Sequence, residues 1–196
     1  MTAKKPKEQR RKQILNAAMR CFIKKGYHAT TIDDITKESD LTKGGIYWHF
    51  KSKWNIYLAM VEEHKKENRL LWKMMKEFEL DKEILIKGGL LFVEEHIKNE
   101  WISRVFNEVE AEAMRNKEVR EEYFSIFKED KEQCLAQFQK AYENNVIRKT
   151  DFESITMVII MLIKGLCTQY WLTDKELDYK RIWNVFCDAL LHGLLK

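Results

Sequence analysis

The chain has 196 residues, 45% of them hydrophobic and 34% charged, with one proline, seven glycines and a formal net charge of +4. That apolar content excludes a disordered chain and suits one small helical unit beside a larger one. No apolar run approaches the roughly 18 to 20 residues of a membrane span, the longest being Met157 to Ile163, and the basic start lacks the apolar stretch of a signal peptide, so a cytoplasmic chain is expected.

Charge is unevenly placed. Residues 1 to 53 hold 13 Lys and Arg against 5 Asp and Glu, and the rest carry a small acidic excess. A basic quarter joined to an acidic remainder is the electrostatic footprint of a nucleic-acid-binding module attached to something else. The opening MTAKKPKEQRRK reads as an arm that tracks phosphates or as a solvated terminus. Cys21, Cys134, Cys167 and Cys187 stand singly in apolar helical phase, which reads as core thiols.

In chain order, the first helix spans about residues 7 to 25, with Ile14, Ala17, Ala18, Cys21 and Phe22 on one face and Gly26 as its stop. Thr31 and Asp34 form a capping box that opens a second helix ending near Ser39. Asp40 tolerates a left-handed turn, and Thr42 caps a third helix through Phe50. Ile46 and Phe50, four apart, share its buried face and turn Lys43, Gly44, Tyr47 and Trp48 outward. That helix is about 11 to 12 Å long, comparable to the DNA major groove. Helix-turn-helix pairs also occur in helical proteins that bind no DNA, so the spacing alone leaves both readings open.

A fourth helix runs from after Ser52 to about Phe78 without proline or glycine, so no flexible linker follows the basic unit. The fifth starts near Asp81 and contains Gly88-Gly89, which marks either a break or a close approach of backbone. The sixth covers about 101 to 114 and the seventh about 117 to 144, the latter with its apolar stripe interrupted at Asp130 and Lys131. Thr150 with Glu153 opens an eighth helix to about Leu172, apolar nearly all round, and a ninth spans about 178 to 195. The result is an all-helical (all-α) chain of about nine helices: a three-helix unit over residues 1–52 and a larger helical unit over 53–196.

The run Gly26-Tyr27, Thr31, Ile35, Leu41-Thr42-Lys43-Gly44, Ile46-Tyr47, His49-Phe50 and Ser52-Lys53 resembles the N-terminal signature of the TetR family of bacterial transcriptional repressors, over about the first 55 residues. Within that family the look is nearest to multidrug-responsive members of the QacR kind. The resemblance implies that Thr31, Thr42, Tyr47, His49 and Lys53 hold the DNA backbone and that Lys43 and Gly44 approach bases. Gly45 and Trp48 complete the DNA-facing set. Gly45 stands where the family often has a side chain that reaches a base, which thins direct readout. The chain departs from the family at Thr36 and Ser39, where alanine is usual, at Asp40, often glycine, and at Trp54, often an acid.

The resemblance further implies a homodimer on a pseudo-palindromic double-stranded DNA operator, released by a small lipophilic effector. The last two helices would form the dimer contact, which nominates Ile159, Ile163, Trp183, Phe186, Leu190 and Leu194. Rings suited to an effector pocket are Trp101, Phe106, Tyr123, Phe127, Phe138 and Tyr170, with Glu108 and Asp130 as carboxylates that would favour a cation. The plainer reading of Asp130 is a solvated partner of Lys128 or Lys131, which the pattern favours over a ligand contact, and a neutral acyl effector is the rival within the same fold. No cofactor or metal site is expected, and no G-x-S-x-G, P-loop, H-E-x-x-H or G-x-G-x-x-G motif supports an enzyme. Glu62-Glu63-His64 and Glu94-Glu95-His96 lack the Glu-x-x-His spacing of di-metal bundles and read as solvated charge. The alternatives are a metal-carboxylate bundle and a protein-only adaptor.

Overall fold

The computed structural model describes residues 6–77 and 82–191. Among the described residues the elements are α1 (Lys7–Lys25), α2 (Ile32–Ser39), α3 (Lys43–His49), α4 (Lys53–Glu77), α5 (Lys82–Lys98), α6 (Glu100–Ala113), α7 (Lys117–Glu143), α8 (Phe152–Leu172) and α9 (Tyr179–Phe186), the last continuing into a π-helical turn over Cys187–Leu191. The first five residues of the basic arm and Leu194 lie outside the described residues, as does the side chain of Leu190.

Local signals set the first three helices. Gly26, at φ 80°, ends α1 and donates its N–H to the Phe22 carbonyl at 2.8 Å. The Thr31–Asp34 capping box opens α2 with both reciprocal bonds in place, and Asp40 takes the left-handed conformation at φ 53°. Thr42 accepts from the Gly45 N–H at 3.1 Å and starts α3. At α8 the cap is Asp151, bonded to the Ser154 N–H at 3.1 Å, where Thr150 was expected; the later acid meets the third helical N–H. The final helix unwinds into its π turn about eight residues before the expected end.

Two apolar cores result. The first joins Ile14, Phe22, Ile35 and Ile46 to Tyr57 of α4 and to Val105 and Val109 of α6, so it crosses the sequence boundary at residue 52 without interruption. The second gathers Val93, Phe138, Ile159, Cys167 and Trp183 from α5, α7, α8 and α9. All four cysteines are buried free thiols, and burial raises the pKa of each. α8 is long and apolar enough, by length and composition, to cross a membrane, although its apolar runs are short. It packs on α5, α6 and α7 through residues such as Thr156, Ile159 and Leu166.

The Gly88-Gly89 pair does not break α5. It is a close approach: a Cβ at Gly89 would lie 2.2 Å from Cζ2 of the Trp183 ring, which is buried and donates its Nε1–H to the Ile86 carbonyl at 3.0 Å. A rigid indole held by a hydrogen bond cannot yield cheaply. Gly89→Ala is therefore expected to lower stability by about 1 to 3 kcal/mol, whereas Gly44→Ala, with open space around its Cβ, is expected to leave it unchanged or raised. Chemical denaturation of the two variants checks the contrast, and equal stabilities would contradict it.

Candidate nucleic-acid interface and effector cavity

α3 is held from beneath by Ile46, fully buried, and by Phe50 just after it. The opposite face is open: Tyr47 is 46% and Trp48 67% exposed, and nothing lies within 4 Å of a Cβ built on Gly44. At Gly45 a Cβ would sit 3.2 Å from the Thr42 cap oxygen, so a side chain there would press on the cap. Lys43 is ion-paired with exposed Asp33 at 2.8 Å, which raises its pKa; such a surface pair is weak and easily exchanged for a phosphate or base. Thr31 and Asp34 complete the rim, Asp34 being bonded to Lys25 and held well below the usual carboxylate range first by that contact and then by Thr31.

The start of α1 comes back onto this face. Lys7 Nζ lies 5.2 Å from the centre of the Trp48 ring, and His49 packs edge-on to Trp48 at 4.6 Å. Burial, then Lys7, Arg10 and Arg11, lower the His49 pKa, so the imidazole is neutral in a basic neighbourhood. Lys7 and Arg10 join the interface without any motif to announce them; the composition of the arm was the available signal.

Lys53 stands differently from expectation. Its ammonium donates to the carbonyls of Tyr27 at 2.6 Å, Thr30 at 2.8 Å and His28 at 3.1 Å, and it lies 4.5 Å over the Tyr27 ring. All three donors are committed to an irregular turn whose carbonyls lack helical partners. Burial lowers its pKa.

Below this unit a cavity of about 230 Å³ opens among α4 to α9. Of the side chains expected to meet an effector, Phe106, Tyr123, Phe127, Asp130 and Phe138 line it, and Trp101, Glu108 and Tyr170 do not. Trp101 is core, edge-on to His64 at 6.0 Å. Tyr170 packs against Trp171 and Tyr179. Glu108 faces away because Phe106 and Glu110 occupy the inner side of α6, and a residue two from each must point out.

Four side chains expected at a dimer contact, Ile159, Ile163, Trp183 and Phe186, line the cavity instead. A helix apolar on every side gives no periodic cue to which face turns inward. Sequence reasoning also missed Glu110, Lys164 and Gln137 in the cavity wall. Glu110 accepts from both the Tyr123 hydroxyl and the Lys164 ammonium, and burial, then Glu110, raises the Tyr123 pKa.

His64 and His96 meet at 5.2 Å, ring edge to ring face. Burial, with His96 beside it, lowers His64 to about 3; burial also lowers His96, whose Nδ1–H donates to the Phe92 carbonyl at 2.7 Å. The neighbouring acids are surface ion pairs, Glu62 with Arg69 and Glu94 with Lys180. The two Glu-Glu-His runs thus split into solvated acids and buried neutral imidazoles. Among the described residues no group of three or more His, Cys, Asp or Glu is placed to hold a metal ion.

α6 connects cavity and upper unit. Its inner face brings Ser103, Phe106, Asn107 and Glu110 to the cavity. From its outer face Arg104 reaches the Ile23 carbonyl at 3.4 Å, Glu108 accepts the His28 N–H at 3.0 Å, and Glu112 lies 4.0 Å from the His28 ring. Gly26 lies under Glu108, where a Cβ would be 2.5 Å from its Oε1.

Residues 14–60 match the family model of bacterial regulatory proteins, tetR family. The transcriptional regulator QacR of Staphylococcus aureus is 28% identical over 94% of this chain and 97% of its own. The helix-turn-helix segment thus matches the tetR family of bacterial regulatory proteins, and the chain along its length is similar to a transcriptional regulator. Solved TetR-fold structures superimpose along the whole chain: the fatty acid degradation regulator FadR from Bacillus halodurans at TM-score 0.83 and 19% identity, over 96% of this chain and 98% of that one, and a SmeT–triclosan complex at 0.77 and 20%, over 96% and 92%. The matched residues contain the α2–α3 pair, which forms the helix-turn-helix.

Within the cavity Asp130 is the carboxylate that stands apart. Lys128 pairs with Glu132 and Lys131 with Glu153, so neither supposed neighbour serves it. Burial raises its pKa from 3.8 to about 6, with Glu129 adding to the rise and Lys65 and Arg69 opposing it. A carboxyl whose folded pKa is raised stabilises the fold when protonated, and that contribution is lost as pH rises through the folded value. Asp130→Asn is thus expected to stabilise the protein at pH 7.5 by roughly 1 to 3 kcal/mol, with the advantage vanishing below about pH 4. Thermal unfolding across pH checks this, and a difference independent of pH would contradict it.

Proposed function

We propose that this regulator is a repressor that binds a pseudo-palindromic operator as a homodimer through residues 1–52, and that a small lipophilic effector held by residues 53–196 releases it. The observation that carries the reading is the open face of α3, with Lys43, Gly44, Tyr47 and Trp48 clear of the fold beside the basic start of α1. Lys43 and Gly44 approach base edges, while Thr31, Thr42, Tyr47 and His49, joined by Lys7 and Arg10, hold phosphates. Lys53 acts as a positioning residue that fixes the α1–α2 turn. A regulator of this kind works in the cytoplasm, beside its DNA.

Assembly follows from what remains uncovered. On α8, Val158, Met161, Gly165 and Leu172 form an outward stripe, and Ile182 and Val185 do the same on α9. Met161 is 61% and Val185 60% exposed. A second copy laid on these stripes covers them, with Gly165 allowing close contact, and sets two α3 helices about 34 to 36 Å apart for successive major grooves. The SmeT–triclosan structure supports the effector side, since a neighbour of the same fold carries a small lipophilic molecule.

Two measurements test this. In anisotropy titrations with duplex DNA from upstream of its own gene, Tyr47→Ala is expected to weaken all sites about equally. Lys43→Ala should weaken them and also relax sequence preference by roughly 1 to 3 kcal/mol at the contacted position. Unchanged affinity in both variants, with circular dichroism intact, would contradict the assignment. In sedimentation, Met161→Glu or Val185→Glu is expected to give monomers that lose DNA affinity together with dimerisation, because a charge would be buried at the contact. A native protein that sediments as a monomer at micromolar concentration would overturn the dimer.

A further inference from the structure

The charges in the cavity wall are matched with one exception. Lys164 is bound to Glu110, and Lys65 is bound to Glu129, which also receives Arg69. That leaves Asp130: among the described residues no hydrogen bond or ion pair holds its carboxylate, although it lines the cavity. The charged groups around it are Lys65 and Arg69 from α4 and Glu129 on its own helix. A second acceptor lies seven residues on. Gln137 is only 4% exposed, lines the same cavity, and its Oε1 is buried without a hydrogen-bond partner.

Seven residues are nearly two full turns, so Asp130 and Gln137 share one face of α7, about 10.5 Å apart along its axis. Phe127 and Phe138 line the wall beside them. A buried acceptor without a donor is costly, and a ligand that supplies the donor recovers that cost on binding. An anionic ligand meets the opposite situation, because both lysines of the wall already have carboxylates.

Resting on the reading of this cavity as the effector site, we propose that the effector is an elongated lipophilic amine: a protonated nitrogen that donates N–H to Asp130 at one end, an apolar body against the Phe127 and Phe138 rings, and a second N–H or O–H donor at the other end for Gln137. The N–H matters as much as the charge. A quaternary ammonium carries the charge and has no proton to give, so it forgoes the charge-assisted hydrogen bond.

The test is calorimetric titration of the native protein at pH 7.5 with 8-amino-1-octanol, its trimethylammonium analogue, octylamine and 8-hydroxyoctanoic acid. The amino alcohol is expected to bind most tightly, with the trimethylammonium analogue about tenfold weaker for want of the N–H bond. Asp130→Asn is expected to weaken the amino alcohol about tenfold or more and to leave the acid unaffected, while its own melting curve shows the fold intact. Gln137→Leu is expected to remove the advantage of the amino alcohol over octylamine. Tightest binding by the acid, or amine binding indifferent to Asp130→Asn, would overturn the amine inference and leave the cavity an effector site. No saturable binding by any of the four would overturn both.

Discussion

The structure turns on one helix with two occupied faces. α6 presents Phe106 and Glu110 to the cavity and, two residues out of phase, Arg104, Glu108 and Glu112 to the turn between α1 and α2. Its Val105 and Val109 lie in the core shared with α1 and α4. A well-packed helix moves as a unit rather than deforming locally. Any rearrangement of the cavity wall is therefore carried to residues 23–28, which precede the helix-turn-helix by a few residues. α4 is a second rigid connection, bringing Val61, His64 and Lys65 to the cavity and Lys53 to the same turn. The turn is thus gripped by both helices, through Lys53 on its carbonyls and Glu108 on its His28 N–H, and the cavity touches both.

Burial and charge are balanced unevenly around that path. The upper core is sealed by apolar side chains, whereas the cavity carries Glu110, Lys164 and Asp130. Two of these neutralise one another and fix the orientation of the Tyr123 hydroxyl. Asp130 is left to be neutralised by a proton or by a ligand. Such a group lowers the stability of the empty protein and reserves that free energy for binding, a common arrangement in sites that must respond to occupancy.

Much of the upper unit was legible in the sequence because its signals are local. Capping at Thr31 and Thr42, the turn at Asp40 and the Ile46–Phe50 pair each act within four residues, and all stand as expected. Lys53 was read as a phosphate contact because a lysine gives no hint that three carbonyls 23 to 26 residues away will claim it. In the larger unit, Asp130 was visible as a break in an apolar stripe. α8 gave no phase, so Ile159 and Ile163 were placed outward and proved to face the cavity, while the exposed stripe fell on Val158 and Met161. Trp183 was misplaced for a different reason: its burial depends on Gly89, nearly a hundred residues away, and no single-helix pattern carries that information.

The packing of α6 assigns it the coupling between cavity and DNA-facing helix, through the α1–α2 turn. The most direct measurement is the affinity for promoter DNA, by anisotropy, with and without a saturating cavity ligand, in the native protein and in Glu108→Ala. Ligand is expected to weaken DNA binding of the native protein about 5- to 150-fold and to have a much smaller effect once Glu108 no longer holds the His28 N–H. Equal weakening in both proteins, or none in either, would contradict that coupling.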